Sequence, residues 1–388
     1  MLLRRDLRKI YLFELFRNLH LVSAVLIPFF TDWGGLNLTQ TMWLQSWFIA
    51  WIFLLEIPTG SIADVLGRKI SLSIGALVGS IAALVYSSYP NFSLFMLGEL
   101  LYALSYSLFS GADKAMIYDT LKMHGKEKES KKIFGKAFTF KMIGMLIGAP
   151  LGSLIAGYLG VRYAMMFMFF PLFTSFLIGL SLKEPERGER AKSYFQVFKE
   201  GMNVIRSDKE LLALICNYVA FYVIAYYTIW MYQPLLLEAG MNISLLGFVH
   251  SALIIAQMIL ANSYAFLEDL LGRKKLIMLN PIVLGLSFVF CGISNGLIPL
   301  LLLVILSAGF GKSRDPLMQS YLNEFIPSKQ RATVLSTISM LSRLILAFTN
   351  LLIGMLMDVS VKYAYLILGF ITLFLSFALR VDAREKAY

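Results

Sequence analysis

The sequence predicts an all-α membrane protein of twelve transmembrane helices in two six-helix bundles. Three observations carry this: an apolar composition, twelve apolar segments separated by charge clusters, and a loop that recurs in the second half. Of 388 residues, 58% are hydrophobic and 15% charged, more apolar surface than a soluble domain can bury. A hydrocarbon core of about 30 Å takes about 20 apolar residues to cross, so the chain has room for roughly a dozen crossings. Cys216 and Cys291 both fall inside apolar runs and read as small hydrophobes, not as a disulfide framework.

The apolar segments lie near 10–31, 41–62, 70–89, 93–121, 134–158, 161–182, 211–237, 243–266, 275–294, 297–322, 331–356 and 360–380. Arg4, Arg5, Arg8 and Lys9 precede the first. It has no small-residue cleavage pattern and contains Glu14, Arg17 and His20, so it reads as a retained helix and not a signal peptide. With the N-terminus inside, 27 of the 35 Lys and Arg fall in cytoplasmic stretches, and only Arg162 and Lys362 fall in outer loops. A miscounted crossing would invert every later loop and destroy that asymmetry. The expected location is the cell membrane, with both termini cytoplasmic. The formal charge of +11 then reflects topology and contact with anionic lipid heads, and no nucleic-acid surface is implied.

The longest polar stretch divides the chain into an N-terminal bundle (1–182), a linker (183–210) and a C-terminal bundle (211–388). Within the linker Phe195, Val197, Phe198, Met202, Val204 and Ile205 fall at helical spacing, which predicts an amphipathic helix along the membrane surface. Asn37, Asn91 and Asn242 open glycosylation sequons in outer loops, where short loops favour helix-cap roles.

The halves are related. Gly60-Ser-Ile-Ala-Asp64-Val-Leu-Gly67-Arg68-Lys69 follows segment 2, and Leu267 to Lys275, containing Asp269, Gly272 and Arg273, follows segment 8. Asp64 and Asp269, like Gly67 and Gly272, are 205 residues apart. Such duplication is the plan of secondary transporters, with the solute site near the midplane between repeats. In the loop itself Gly60 permits close helix approach, Gly67 a tight turn, Asp64 a bond to a helix N-terminus, and Arg68 a bridge to a neighbouring carboxylate.

The loop from Gly60 to Lys69 resembles the signature between helices 2 and 3 of the major facilitator superfamily, and the six-plus-six plan extends the resemblance over the whole chain. The resemblance implies the major facilitator fold, with Asp64 against the start of helix 11 near Arg331 to Val334. It also implies Arg68 paired with Asp119, the two contacts latching an outward-facing state. The plainer reading makes Arg68 and Lys69 topology markers and Asp64 a helix cap. Gly144, Gly148, Pro150 and Gly152 in segment 5 resemble the motif of proton-coupled antiporters, with departures at Ala149 and Ser153. The residues alone read equally as a smooth packing ridge bent by Pro150. Many drug-exporting members carry an Arg near the outer part of helix 4, where this sequence has Glu99.

Ionisable groups inside segments are costly in lipid and mark cavities or partners. They are Glu14, Arg17, Glu56, Glu99, Asp113, Lys114, Asp119, Lys141, Lys312, Arg314, Asp315 and Arg343. The balanced signs leave the solute's charge open. Glu14/Arg17 and Lys312/Asp315 are i,i+3 pairs, and Glu99, Tyr106 and Asp113 share one face of segment 4. Arg17, Asp113, Lys141, Lys312 and Arg343 are placed to form an inner cluster that binds solute, closes a gate, or merely pairs charges. Glu99, lacking an obvious basic neighbour, is the leading proton carrier, and Asp113 is second. Tyr218, Tyr222 and Tyr226 recur at i+4 on segment 7, with Tyr102 and Tyr106 on segment 4, and form an aromatic wall or simple packing.

His20, His124 and His250 are too dispersed for a metal site, and there is no phosphate-binding Gly-Lys-Ser/Thr loop. No enzyme chemistry or cofactor is expected, and an ion gradient supplies the energy. The expected partners are a small-molecule solute, protons and membrane lipids, with a monomer sufficing. The leading expectation is a proton-coupled exporter of amphipathic compounds. An importer of a nutrient or metabolite, a lipid translocase and a transporter-like sensor stand as alternatives.

Overall fold

The computed structural model describes residues 2–185, 194–328 and 330–381, with the side chains of 2, 57, 61–65 and 194–197 outside the description. Among the described residues eleven helices are long and apolar enough to cross a membrane. The first segment completes a twelve-crossing plan, although it is not a single helix.

That segment starts as α1 (Leu2–Arg17), runs irregularly from Asn18 to Val25, and resumes as α2 (Leu26–Pro28) and one π-helical turn, Phe29–Trp33. The continuous helix expected over 10–31 is therefore interrupted, and the cause is packing. Gly144, Gly148 and Gly152 of α7 (Ser130–Leu159) face this stretch. A Cβ on Gly148 would lie 2.6 Å from the His20 nitrogen, and one on Gly152 would overlap the Leu21 carbonyl oxygen. Main chain occupies the space that side chains would fill, which requires glycine opposite it. Local partners satisfy the freed groups. Asn18 Nδ2 donates to the Glu14 carbonyl at 2.8 Å, Leu21 N to Met168 Sδ at 3.0 Å, and Ser23 Oγ to the His20 carbonyl at 3.0 Å. Irregular backbone at membrane depth survives only when buried in protein or lining a cavity.

Next come α3 (Leu38–Leu66), α4 (Arg68–Ser88), α5 (Phe92–Phe109), α6 (Ala112–Lys122), α7, α8 (Val161–Phe167) and α9 (Phe169–Leu180). The segment expected over 93–121 divides at Ser110-Gly111, where Gly111 has φ +80°, a conformation side-chain-bearing residues rarely adopt. Asn37 and Asn91 cap α3 and α5, and Asn242 caps the short 3₁₀ turn Ile243–Leu245. Asn37 forms a full capping box with Gln40.

The second half comprises α10 (Tyr194–Ser207), α11 (Lys209–Glu238), α12 (Leu246–Leu271), α13 (Arg273–Ile293), α14 (Leu297–Phe325), α15 (Arg331–Val359) and α16 (Val361–Ala378). The amphipathic linker helix is α10, and it packs on α15, with Gly201 against Thr337. Arg68 and Arg273 open α4 and α13, Ser88 and Ile293 close them, and Phe92 and Leu297 open the next helices, each pair 205 residues apart. The repeat seen in one loop thus extends through two crossings. It reaches the break in the fourth: Gly111 corresponds to Pro316 inside α14, which cannot donate to the Lys312 carbonyl.

Contacts group residues 1–192 and 242–251 as one compact unit, and 193–241 and 252–388 as another. Residues 242–251 join the first because the Ser153 hydroxyl donates to the Ser244 carbonyl at 2.9 Å and the Ser251 hydroxyl to the Leu146 carbonyl at 3.0 Å.

Candidate functional site

At the start of α4, the Arg68 guanidinium lies 2.9 Å from the Asp119 carboxylate on α6. The side chain of Asp64 is outside the described residues. A Cβ on Gly60 would meet nothing within 4 Å, so among the described residues the close helix approach expected there is absent. In the second half Arg273 makes a bidentate pair with Glu324 at 2.7 and 2.8 Å, contacts Glu268 at 3.1 Å, and lies over the Tyr321 ring at 4.3 Å. Asp269 is exposed and Gly272 has φ +78°. Glu324 follows Asp119 by 205 residues, so the ion pair is duplicated with the loop. Applying the repeat to Asp119 would have found Glu324 from sequence.

Glu184, after α9, adds a contact the motif did not announce. Its carboxylate accepts from the Arg68 and Lys69 backbone nitrogens at 2.7 and 2.8 Å, filling the N-terminus of α4. Gly67, at φ +104°, sits against it: a Cβ there would lie 2.7 Å from the carboxyl carbon. A carboxylate on a helix N-terminus contributes about 1 kcal/mol. Glu184→Ala is expected to lower the melting temperature by a few degrees, and unchanged melting would refute the cap.

The first unit holds a cavity of about 310 Å³ bounded by the irregular part of the first crossing, the α5–α6 break and α7. Arg17 is its centre. One guanidinium nitrogen lies 3.2 Å from Asp113 and 3.4 Å from Glu14, and the guanidinium sits 4.6 Å from the Phe109 ring centroid. Arg17 Nη1 is buried without a hydrogen-bond partner among the described residues. Lys114, Lys141, His20, Tyr102 and Tyr106 also line the space. Two chain breaks therefore border one polar cavity, the arrangement by which transporters build solute sites. His20 and Asn18 were missed as site residues because the break that presents them carries neither Gly nor Pro.

Glu99 lies one turn from Tyr102 and is 4% exposed. Its carboxylate accepts from Gln45 Nε2 at 2.8 Å and also hydrogen-bonds the Tyr86 hydroxyl. Among the described residues no Lys or Arg comes within ion-pair distance of it. Glu56, by contrast, sits at the α5 end, accepting from Ser110 at 3.4 Å.

The second unit holds a cavity of about 170 Å³ between α11, α12 and α14. Tyr218 and Tyr222 form one wall, and Lys312, Arg314 and Asp315 face it. Lys312 Nζ lies 6.0 and 5.5 Å from the Tyr222 and Tyr226 ring centroids, within reach of a cation–π contact. Arg343 lines neither cavity. Of the expected inner cluster, Arg17, Asp113 and Lys141 come together in the first unit, and Lys312 belongs to the second. Gly144, Gly148 and Gly152 serve packing against the first crossing, as described above.

The family model of the Major Facilitator Superfamily matches residues 17–265 and 220–387. The uncharacterized MFS-type transporter YxaM of Bacillus subtilis (strain 168) is 23% identical over 286 residues, 72% of this chain and 71% of that protein. Among solved structures, the nucleoside transporter NupG superposes with a TM-score of 0.82 at 14% identity, over 98% of both chains. A POT family transporter in complex with 5-aminolevulinic acid gives 0.76 at 13% identity, over 98% of this chain and 96% of that one. A bacterial homolog to the human lysosomal transporter Spinster gives 0.74 at 15%, over 97% and 95%. At these identities the likeness is one of fold. The family match over both halves, the duplicated loop and its duplicated ion pair lead to one conclusion: the chain belongs to the major facilitator superfamily and is a multi-pass secondary transporter of that type.

Proposed function

We propose that the chain is a proton-coupled exporter of amphipathic small molecules, working by alternating access in the cell membrane with both termini cytoplasmic. Glu99 is the observation that supports this best. Its buried carboxyl is held by an amide and a phenol in place of a cation, so it can change charge without breaking an ion pair, as a proton carrier must. Asp113, tied to Arg17, is the second carrier. The aromatic walls take the apolar body of a solute and the cavity charges its polar end. The pairs Arg68–Asp119 and Arg273–Glu324 close helix ends in one state and part in the other. Solute, protons and lipids are the partners, no cofactor is needed, and a monomer suffices.

Proton-coupled import of a nutrient or metabolite is the second reading. It is supported by the pairing of Arg17 with Glu14 and Asp113 in the first cavity, which suits a polar solute, and by Glu99 standing where exporters carry an Arg.

The test is reconstitution into liposomes enclosing a pH-sensitive dye, with an imposed proton gradient and a screen of cationic, zwitterionic and anionic amphiphiles. The expected result is solute-dependent proton movement opposite to the solute, reduced to background by Glu99→Gln. Movement in the same direction as the solute would establish the importer instead. Coupled movement undiminished in Glu99→Gln would remove Glu99 from the mechanism.

A further inference from the structure

Arg314 is 4% exposed, yet among the described residues no carboxylate lies within ion-pair distance of it. One terminal nitrogen donates to the Asn217 amide oxygen, the guanidinium lies 5.0 Å from the Phe221 ring centroid, and Nε is buried with no acceptor. Lys312, two residues earlier, also lacks a carboxylate within ion-pair distance among the described residues, and its ammonium lies over the Tyr222 and Tyr226 rings. Asp315, the one acid of this cavity among the described residues, is already engaged. Asp315 accepts from the Tyr218 hydroxyl at 2.5 Å and from Gln319 Nε2 at 3.0 Å. The cavity thus carries two cations against one acid whose Oδ1 accepts from neutral donors. A guanidinium taken out of water without a counter-charge costs several kcal/mol, and its unsatisfied Nε adds the cost of an unmade bond. A chain that keeps such a group beside an open cavity gains if an anion fills the space.

We propose that this cavity is the anion subsite of the transported solute, and that the solute is an aromatic monocarboxylate. The proposal rests on the transporter reading above and names the substrate class of that site. The chemistry follows from the lining. Arg314 and Lys312 supply donors and the counter-charge for a carboxylate. The single excess positive charge matches a monoanion. Tyr218, Phe221 and Tyr222 provide ring faces for an aromatic body, and Gly311 keeps the wall beside Lys312 free of a side chain. The Gln257 amide completes the lining and can bond a polar ring substituent.

The test uses the full-length protein in detergent. Binding of 3-phenylpropanoate, its uncharged amide and 2-phenylethylammonium is measured by isothermal titration on wild type and on Lys312→Gln, a position less deeply buried than Arg314 and so less disruptive to change. The acid is expected to bind about tenfold or more tightly than the amide, with the ammonium weakest. Lys312→Gln, checked for an unchanged elution profile, is expected to reduce the acid's advantage severalfold, Arg314 retaining the rest, while leaving amide affinity in place. Equal affinity for acid and amide, no binding of the acid, or an advantage unchanged in Lys312→Gln would each overturn the proposal. Flux is measured separately in liposomes. Solute flux with no preference for the acid would leave the transporter standing without this subsite. Acid-selective binding weakened in Lys312→Gln, but with no flux of any solute, would keep the subsite and refute transport.

Discussion

Replacing Gly152 with leucine is expected to abolish accumulation of folded protein. A Cβ at this position overlaps the Leu21 carbonyl oxygen and lies 2.7 Å from the Leu21 Cα, main-chain atoms that no rotamer change can move. Overpacking a well-filled site costs about 1–3 kcal/mol when side chains can adjust, and a collision with backbone lies at or above the top of that range. The collision would also push back the irregular stretch that carries Asn18 and His20 into the first cavity. Gly135, on the same helix, is the control. A Cβ there meets nothing within 4 Å, and alanine is the better helix former by about 1 kcal/mol. In fluorescence-detected size exclusion, Gly135→Ala should keep the wild-type peak and Gly152→Leu should lose it. A Gly152→Leu protein with the wild-type profile and melting temperature would sink the packing account of the broken helix.

Removing the positive charge at Arg17 is expected to have the second large effect. Arg17→Gln leaves Glu14, 7% exposed, and Asp113 facing each other without the guanidinium that joins them at 3.4 and 3.2 Å. Breaking a fully buried pair costs about 3–5 kcal/mol. The cavity is open on the Asp113 side, so about 2 kcal/mol is a fairer expectation, visible as a lowered melting temperature. The double variant Arg17→Gln/Asp113→Asn removes one of the two stranded charges and should regain a good part of the stability. Recovery in the double variant is the signature of coupled charges. Strictly additive losses would mean that Arg17 acts through packing on Phe109 alone.

The class of protein, the number of crossings and the relation between halves were all open to a reader of the sequence, and the family resemblance implied the pairing of Arg68 with Asp119. The first three depend on local composition or on a motif that repeats along the chain. Lipid demands long apolar runs whatever their packing, and Gly67 and Gly272 mark the same turn because both backbones adopt positive φ there. The interruptions were not legible. Asn18 to Val25 contains no helix breaker apart from its neighbours on α7, and the helix ends there because three glycines on that other helix make room for its main chain. Nor could the sequence show Glu184 reaching the N-terminus of α4 from more than a hundred residues away.

Charges divide in the same manner. The sequence alone determined which ionisable groups lie within the apolar segments, since their cost in lipid depends only on being there. Tertiary structure alone decided how they are compensated: Arg17 by two acids, Glu99 by an amide and a phenol, Arg314 by an amide and a phenyl ring. Compensation is set by distances of a few ångströms between residues far apart in the chain, and those distances exist only once the helices have packed.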